Sequence, residues 1–462
     1  MQKSLQGITR ISIIFIALTA FEMRQLFNPF LFVLLILPAI VNAQLKAEDV
    51  KSFTLNNGMK FLVMQDNSIP NANMYLFYRV GSRNEYTGIT GLSHFFEHMM
   101  FNGAKKFGHG MLDSAMEFNG GTNNAYTTEN NTVYTDWFPS SKLELIFDIE
   151  GDRLANLAFD SSVIESERGV VHSEWRTDLE NQPLTALYMA VTSMAFNEHP
   201  YHWPVIGYES DIENWKKADL QHYFNTYYVP NNCVVVITGN ITTEQVQKLA
   251  KQYMEPIPAK PAPPSVHIVE PPQTGERRIM VKRDVSSPYV LISYHVPATR
   301  DSDYYALDVL NGILVEGKSS RLYTSLVENK QLATDVQAYM PNALDPYQSC
   351  IYAIANKDVN SAAIEKAIYN EIEKIQKEGV TDADLHKVKN RRLMDFYNNI
   401  ETINGKSQTI GNYEFFFGDY KKLFDAPAEY NKVTSADVKR VANLYYTKKN
   451  RTVGILQNNV ED

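Results

Sequence analysis

The chain has 462 residues, which is enough for two or three domains that each bury a hydrophobic core. Hydrophobic residues make up 44% of the sequence and charged residues 21%, a balance typical of a folded globular protein rather than a disordered one. The formal net charge is -9 and no block of Lys and Arg is present, so nucleic acid is a poor candidate for a partner. Cys233 and Cys350 lie in apolar runs, which indicates buried side chains rather than a disulfide or a metal pair.

The N-terminal region predicts export. Residues 23–43 combine a charged start, an apolar core and a small-residue cleavage site between Ala43 and Gln44, which is the pattern of a secretory signal. We therefore expect translation to begin at Met23, residues 1–43 to be absent from the mature protein, and the mature protein to be periplasmic. The alternative is that the segment stays uncleaved and anchors the protein to a membrane.

A proline-rich stretch divides the mature chain. Seven prolines fall between residues 255 and 272. Proline donates no amide hydrogen, so neither a helix nor a central strand is expected there. We predict an extended linker at 255–274 between an N-terminal domain, 44–254, and a C-terminal domain, 275–462.

The two parts show the same order of predicted elements. Each begins with strand-like segments, continues with a short amphipathic helix, and then has another strand and long helices. This order favours an internal repeat. We predict an α+β fold of two homologous domains, each with a mixed, mainly antiparallel sheet and helices.

One predicted helix, at residues 91–101, carries three polar side chains among apolar ones. His94 and His98 are four residues apart, so they lie on one helix face and can bind one Zn²⁺ together. Glu97 is next to His98 and can take a proton from water near that metal. The spacing H-x-x-E-H is the inverted form of the zinc-peptidase motif H-E-x-x-H. A match over only five residues does not decide between a metal site and an ordinary amphipathic helix with three solvated polar groups.

A catalytic zinc needs a third protein ligand. Glu167 and Glu174 are candidates because they are seven residues apart, which places them on one face of a helix. In the second copy of the repeat the positions of the histidine motif hold apolar or amide side chains instead, namely Leu307, Leu310 and Asn311. The cluster of histidine and glutamate side chains is therefore expected in the N-terminal domain only.

These segments resemble the pitrilysin/insulinase-type zinc metallopeptidases, a family that includes the mitochondrial processing peptidases. In that family H-x-x-E-H is followed by a segment E-R-x-V-x-x-x-E, which here ends at Glu174. The resemblance covers nearly the whole mature chain and implies one Zn²⁺ per chain, with the ligands His94, His98 and Glu174. It assigns the role of catalytic base to Glu97, and it implies that Glu167 orients the ligands from outside the metal shell. It also implies two α/β-sandwich domains that form a clamshell around an internal chamber.

The sequence GGTNNAYTTENN resembles the edge strand of this family, on which an extended substrate adds its backbone as a further strand. The resemblance places Asn124, Ala125 and Tyr126 along the substrate. The alternative is an ordinary edge strand without a ligand. We expect an exported zinc-dependent endopeptidase that cleaves extended peptides or unfolded segments.

The second domain departs from the family pattern. It usually supplies an arginine and a tyrosine that steady the substrate, but the matching positions here are Val327 and Thr334, which cannot donate in the same way. Some members of the family divide the work between a zinc-bearing chain and a related partner that carries this pair. The chain resembles the zinc-bearing type, similar to the beta subunit of mitochondrial processing peptidase and its bacterial relatives, which implies a heterodimer. The alternative function is a non-catalytic, chaperone-like subunit of the same fold that binds peptides.

Overall fold

A computed structural model describes residues 45–458. The predicted signal segment 1–43 and the predicted start at Met23 lie outside the described residues. The strands are β1 (Val50–Thr54), β2 (Lys60–Gln65), β3 (Asn71–Tyr78), β4 (Thr122–Thr127), β5 (Thr132–Pro139), β6 (Cys233–Gly239), β7 (Arg277–Lys282), β8 (Tyr289–Val296), β9 (Ala333–Tyr339), β10 (Tyr347–Ala355) and β11 (Arg451–Gln457).

The helices lie between these strands in the chain, mostly in runs. They are α1 (Leu92–Met99), α2 (Met111–Phe118), α3 (Leu143–Asn156), α4 (Ser161–Asn181), α5 (Pro183–Ala195), α6 (Glu209–Asn214), α7 (Lys217–Tyr227), α8 (Thr243–Leu249), α9 (Tyr304–Val315), α10 (Ser361–Glu378), α11 (Asp382–Asn399), α12 (Ile403–Asn412), α13 (Lys422–Lys432) and α14 (Ser435–Tyr445). Short 3₁₀ and π turns connect several of them.

The strands form two sheets with the same internal plan. The first sheet has the order β1-β2-β6-β3-β5-β4 and the second has the order β7-β11-β8-β10-β9. Each contains one parallel pair, β2 with β6 and β7 with β11, and antiparallel pairing elsewhere. The second order therefore repeats the first from β2 onward. The predicted α+β fold of two homologous domains is confirmed.

The central strands of both sheets are buried on both faces. All seven residues of β6 are buried, as are seven of the eight in β3. A strand that reads as a continuous apolar run needs a layer on each side of the sheet. One side of the first sheet is covered by helices of the same half, in a core that includes Phe96, Phe147 and Phe224. The other side must be covered from elsewhere.

The two halves exchange one helix each. Helix α12, from the second half, packs on β3 and β6 of the first sheet, while α5, from the first half, packs on β7, β8 and β11 of the second. Glycines mark both contacts. A Cβ at Gly411 of α12 would lie 2.1 Å from the Phe77 ring, and a Cβ at Gly454 of β11 would lie 2.2 Å from Val191 of α5. Neither helix therefore covers the sheet of its own half.

Polar contacts fix α12 on the first sheet. The Ser407 hydroxyl lies 2.6 Å from the Asn73 side-chain oxygen and 2.7 Å from the Thr238 hydroxyl, and all three residues are buried. The Asn73 amide donates in turn to the side-chain oxygen of Asn404 at 3.0 Å. Because buried polar groups need partners, these bonds allow α12 only one register on the sheet.

The proline-rich segment has no helix or strand between Met254 and Arg277 in the described chain. It is nevertheless held to the first half, since the Glu270 carboxylate accepts the backbone amides of Asn197, Glu198 and His199. Residues from Lys46 onward form one compact unit by their contacts. The domain boundaries at 254 and 275 stay a prediction.

Cys233 and Cys350 are buried and free of disulfides, as predicted. Among residues 45–458, no helix combines the length and the apolar character needed to cross a bilayer.

We predict that Gly454→Ala destabilises the protein, because the added methyl group would overlap the Val191 side chain of the exchanged helix α5. Overpacking of this kind typically costs about 1–3 kcal/mol. Urea denaturation should show that loss in the free energy of unfolding. Gly275→Ala is the matched control, since Gly275 is exposed and its added Cβ would meet no atom within 4 Å. Equal stability of the two variants would contradict the prediction.

Candidate functional site

Helix α1 begins at a backbone position that requires glycine. Gly91 has φ 87°, and a Cβ there would lie 2.3 Å from the carbonyl oxygen of Ile206. Both the left-handed conformation and the close approach exclude a larger side chain. The first turn of the helix is therefore set against the loop that precedes α6.

Two buried carboxyl groups hold this first turn and the loop before it. Glu85 accepts the backbone amides of Gly91 and Ser93, each at 2.7 Å. Asp211, on α6, accepts the amides of Gly88 and Thr90 at 3.0 and 3.1 Å and the Thr90 hydroxyl at 2.7 Å. Carboxyl oxygens near a helix N-terminus satisfy its free amides, and burial raises the pKa of Glu85 to about 8. These contacts fix where α1 starts.

The apolar side of α1 fixes its rotation. Leu92, Phe95, Phe96 and Met99 are fully buried in the first core. The Tyr134 hydroxyl donates to the Phe96 carbonyl at 2.9 Å. The remaining face of the helix carries His94, Glu97 and His98.

Helix α4 lies against α1 and brings two carboxylates to that face. Its N-terminus is capped by Asp160, which accepts the Ser162 amide at 2.8 Å. Glu174 Oε2 lies 3.4 Å from His98 Nε2 and 3.7 Å from His94 Nε2. One oxygen atom therefore faces both imidazoles.

Glu167 contacts the other side of the His98 ring. Its Oε1 lies 2.8 Å from His98 Nδ1, and its Oε2 accepts the Asn102 amide at 2.9 Å. A carboxylate at Nδ1 favours the tautomer in which Nδ1 carries the proton and Nε2 has its lone pair free. His98 Nε2 is then oriented as a ligand toward Glu174.

The charges in this cluster are strongly coupled. Burial lowers the pKa of His94 to about 4, so this imidazole is neutral at physiological pH. Burial alone would also lower the pKa of His98, but its hydrogen bonds to Glu167 and Glu174 raise it to about 9. The hydrogen bond to His98 lowers the pKa of Glu174. Two ionised carboxylates thus require a positive charge between them, which either a proton on His98 or a metal cation supplies.

The cluster fits a metal ion. The ligand atoms of His94, His98 and Glu174 all lie within 4.8 Å of one another. Ligands about 2.0–2.1 Å from a tetrahedral zinc are separated by about 3.3–3.4 Å, close to the two distances between Glu174 and the imidazoles. Two nitrogens and one carboxylate oxygen are a donor set that zinc accepts in catalytic sites. The side chains of His94 and His98 are 11% and 21% exposed, which is unlike three solvated polar groups on a helix surface.

Glu97 points into the same cleft but is not part of the three-atom cluster. It lines a cavity together with His94, Glu174, Tyr126 and Thr127. Burial raises the pKa of Glu97, although Thr127 and the charge of His98 act in the opposite direction. A carboxyl group with a raised pKa beside a candidate metal site is well suited to exchange protons with water.

Strand β4 forms the open edge of the first sheet beside this cleft. It pairs with β5 on one side only, with Asn124 opposite Thr135 and Ala125 opposite Tyr134. Helix α1 contacts β4 directly. The Tyr126 hydroxyl accepts the Gln408 amide of α12 at 2.6 Å, and burial raises the pKa of Tyr126 to about 12. Backbone groups along β4 are therefore available to an extended chain close to His94 and Glu97.

The second half offers no comparable cluster within the described chain. Leu307 and Leu310 are buried in its apolar core, and the Asn311 side chain is bonded to Ser349 and Tyr446. The residues that line the cleft all lie between positions 94 and 206.

Val327 and Thr334 have structural contacts of their own. Val327 packs against the second core, and the Thr334 hydroxyl donates to the Ile354 carbonyl at 3.4 Å. His172, which lies two residues before Glu174, faces Glu209 on α6 and not the imidazoles.

Several residues that support the site were not singled out by the sequence. Asn102 holds Glu167, while Glu85 and Asp211 hold the start of α1. Of these three residues, only Asn102 could have been found from the sequence, because it is four residues after His98 and such spacing places two residues on one helix face. Glu85 and Asp211 reach α1 from a loop and from a separate short helix, so no local spacing reveals them.

Comparisons with known proteins agree with this arrangement. Residues 60–208 match the family model Insulinase (Peptidase family M16), and residues 214–392 match the model Peptidase M16 inactive domain. The zinc protease PqqE of Helicobacter pylori is 31% identical over 443 residues, which cover 95% of this chain and 99% of the relative. A probable mitochondrial-processing peptidase subunit beta of Arabidopsis thaliana is 24% identical over 425 residues, which cover 90% of this chain and 80% of the relative.

Solved structures share the fold. The crystal structure of a protease from Helicobacter pylori has a TM-score of 0.85 at 30% identity, and the match covers 88% of this chain and 99% of that chain. The structural likeness supports the predicted α+β clamshell.

We predict that Glu85→Ala destabilises the protein, because two buried amides at the start of α1 lose their acceptor. Each unsatisfied buried amide costs about 1–3 kcal/mol, so the free energy of unfolding should fall by about 2–6 kcal/mol. Chemical denaturation measures this loss. Glu117→Ala, at an exposed position of α2, is the control and should unfold as the wild type does. If Glu85→Ala unfolded at the same denaturant concentration as the wild type, the hydrogen bonds of Glu85 would contribute little to stability.

Proposed function

This chain belongs to peptidase family M16, and we propose that it is a zinc-dependent endopeptidase whose single Zn²⁺ is held by His94, His98 and Glu174. The observation that carries the proposal is the convergence of Glu174 Oε2 on both Nε2 atoms, at 3.4 and 3.7 Å. The name of the zinc protease relative supports the same chemistry.

Glu97 is the proposed general base. Zinc, when bound, would acidify a water molecule and polarise the scissile carbonyl. Glu97 takes the proton of the attacking water and then passes it to the leaving amine. Its buried position and raised pKa suit both steps, since one group must accept and then release the same proton.

Glu167 is proposed to orient His98 rather than to bind the metal. Its contact with Nδ1 at 2.8 Å leaves Nε2 for the ion, and Asn102 fixes the carboxylate in turn. Partners of this kind orient the imidazole ring and increase its basicity as a ligand.

The proposed substrate is an extended peptide or an unfolded segment. It would add to the edge of β4, along Asn124, Ala125 and Tyr126, and pair through backbone hydrogen bonds. A folded domain has few free backbone groups to offer such an edge, so this geometry favours unfolded chains.

We also propose that a related subunit completes the site. Val327 and Thr334 leave the second half without an arginine and tyrosine pair at the expected positions, and every described residue that lines the cleft belongs to the first half. One relative is itself a subunit, the beta subunit of a probable mitochondrial-processing peptidase. The partner would contribute donors for the substrate from across the cleft.

Export to the periplasm remains part of the proposal. It depends on the signal-like residues 23–43 and on cleavage before Gln44. N-terminal sequencing of the mature protein tests it, and a start elsewhere than Gln44 would contradict it.

The alternative function is peptide binding without cleavage. It uses the same edge strand but needs neither metal nor base. The presence of the full set His94, Glu97, His98 and Glu174 favours catalysis, because a binding subunit has no need to retain them. Peptide cleavage that a chelator stops and Zn²⁺ restores would decide for the enzyme.

We predict that Glu97→Gln retains zinc and loses about 10²- to 10⁴-fold in peptide hydrolysis, the usual contribution of a general base. His94→Ala and Glu174→Ala should lose both zinc and activity, because each removes a ligand. Metal analysis and a fluorogenic peptide assay measure the two properties together. Glu117→Gln, which alters an exposed carboxylate of α2, should match the wild type. Full activity of Glu97→Gln would refute the assignment of the base.

We predict weak hydrolysis by this chain alone and strong hydrolysis after it is mixed with a related subunit that carries the missing arginine and tyrosine. Size-exclusion chromatography should show the two chains eluting together, and the active fractions should coincide with that peak. A purified monomer with full activity would remove the need for a partner.

A further inference from the structure

Helix α4 carries a second cluster of metal-binding side chains on its outer side. His172 Nε2 lies 2.8 Å from Glu209 Oε1 and 3.9 Å from Glu213 Oε1. One ligand atom from each of the three residues lies within 4.8 Å of the others, the same limit that the catalytic trio satisfies. The two sets of side chains point away from α4 in different directions, since His172 and Glu174 are two residues apart.

The geometry of this outer cluster is set by two helices. Glu209 and Glu213 are four residues apart on α6, so both carboxylates project from one face toward His172. The His172 ring is parallel to the Trp175 indole within 12°, with 6.4 Å between ring centroids, which restricts its orientation. The side chains of His172 and Glu209 are 22% and 37% exposed, so the cluster is open to solvent and accessible to an ion.

We propose that His172, Glu209 and Glu213 form a second binding site for a divalent transition metal, with Zn²⁺ the best candidate. An imidazole and two carboxylates are ligands that zinc binds well, and the open side leaves room for water. The local charge favours a cation. Within the described chain, the Arg176 guanidinium also forms an ion pair with this cluster: it lies 3.9 Å from Glu209 and is 59% exposed. Arg176 can turn into solvent when a metal binds.

A metal at this position would cross-link two helices that position the proposed catalytic residues. It would link α4, which carries Glu167 and Glu174, to α6, whose Asp211 holds the loop before α1. Glu209 and Glu213 project from one face of α6, and Asp211 lies between them in sequence on another face. The site would therefore stabilise the arrangement of α1 and α4 without contributing a ligand to the catalytic metal.

The experiment is a zinc titration of the untagged, metal-free protein by calorimetry, with metal analysis after dialysis at each zinc concentration. We expect the wild type to bind two equivalents, with the outer site weaker because Glu213 is 58% exposed and must be ordered on binding. His172→Ala and His94→Ala should each bind one equivalent, and the double variant none. His222→Ala, which removes an exposed histidine of α7, should bind two.

A second measurement uses stability. In the His94→Ala background, added Zn²⁺ should raise the melting temperature, because a ligand that binds only the folded state stabilises it. The same addition should give no rise in the His94→Ala/His172→Ala double variant. Glu213→Gln is a milder change that keeps the side-chain volume, and it should lose the second equivalent even where His172→Ala folds poorly.

The outcomes separate the two metal sites. A wild type that binds one equivalent, lost in His94→Ala, would overturn the outer site and leave the proposed peptidase intact. A second equivalent that persists in both His172→Ala and Glu213→Gln would also overturn it, since the ion would then bind elsewhere. Loss of the second equivalent in both variants, with His222→Ala unchanged, would establish the outer site.

Discussion

The site depends on the match between two helical spacings. His94 and His98 are one turn apart on α1, and Glu167 and Glu174 are two turns apart on α4. Glu174 faces the Nε2 atoms of both imidazoles, and Glu167 reaches back to His98 Nδ1. Because His98 is contacted at both ring nitrogens, neither helix can rotate or slide without breaking a contact. The loop and cap interactions at the start of α1 and α4 fix where each helix begins, and so help to keep these side chains aligned.

The same alignment creates an electrostatic requirement. Glu167 and Glu174 are both held near His98, and their hydrogen bonds to it lower the pKa of each carboxyl. Two carboxylates so close to one imidazole need a positive charge, and burial keeps His94 neutral. A proton on His98 meets the requirement without metal, and a divalent cation meets it more fully because it attracts all three ligands. The charge of the cluster, like its geometry, is therefore compatible with a bound cation.

Sequence reasoning was sufficient where the chemistry is local. The spacing of His94, Glu97 and His98 on α1, the two-turn separation on α4 and the repeat of strand order can all be read from periodicity and sequence. The exchange of α5 and α12 could not be predicted, because an apolar face shows that a helix is covered but not by which element. Glu85 and Asp211 were missed for a related reason. Carboxyl groups in loops and short helices are usually solvated, and only the packed fold buries these two against the amides of α1 and of the loop before it.

In the second half, charged side chains of the chain itself link the two corresponding helices. Its helices α9 and α11 correspond to α1 and α4, and there Arg392 of α11 binds Asp308 of α9 at 2.6 Å and Glu316 at 2.9 Å. The positive charge between these two helices is thus supplied by an arginine of the chain itself. Its α12 covers the face of β3 and β6 that the helices of the first half leave open. The second half thus completes the first sheet, because without α12 the buried strands β3 and β6 would be exposed to water.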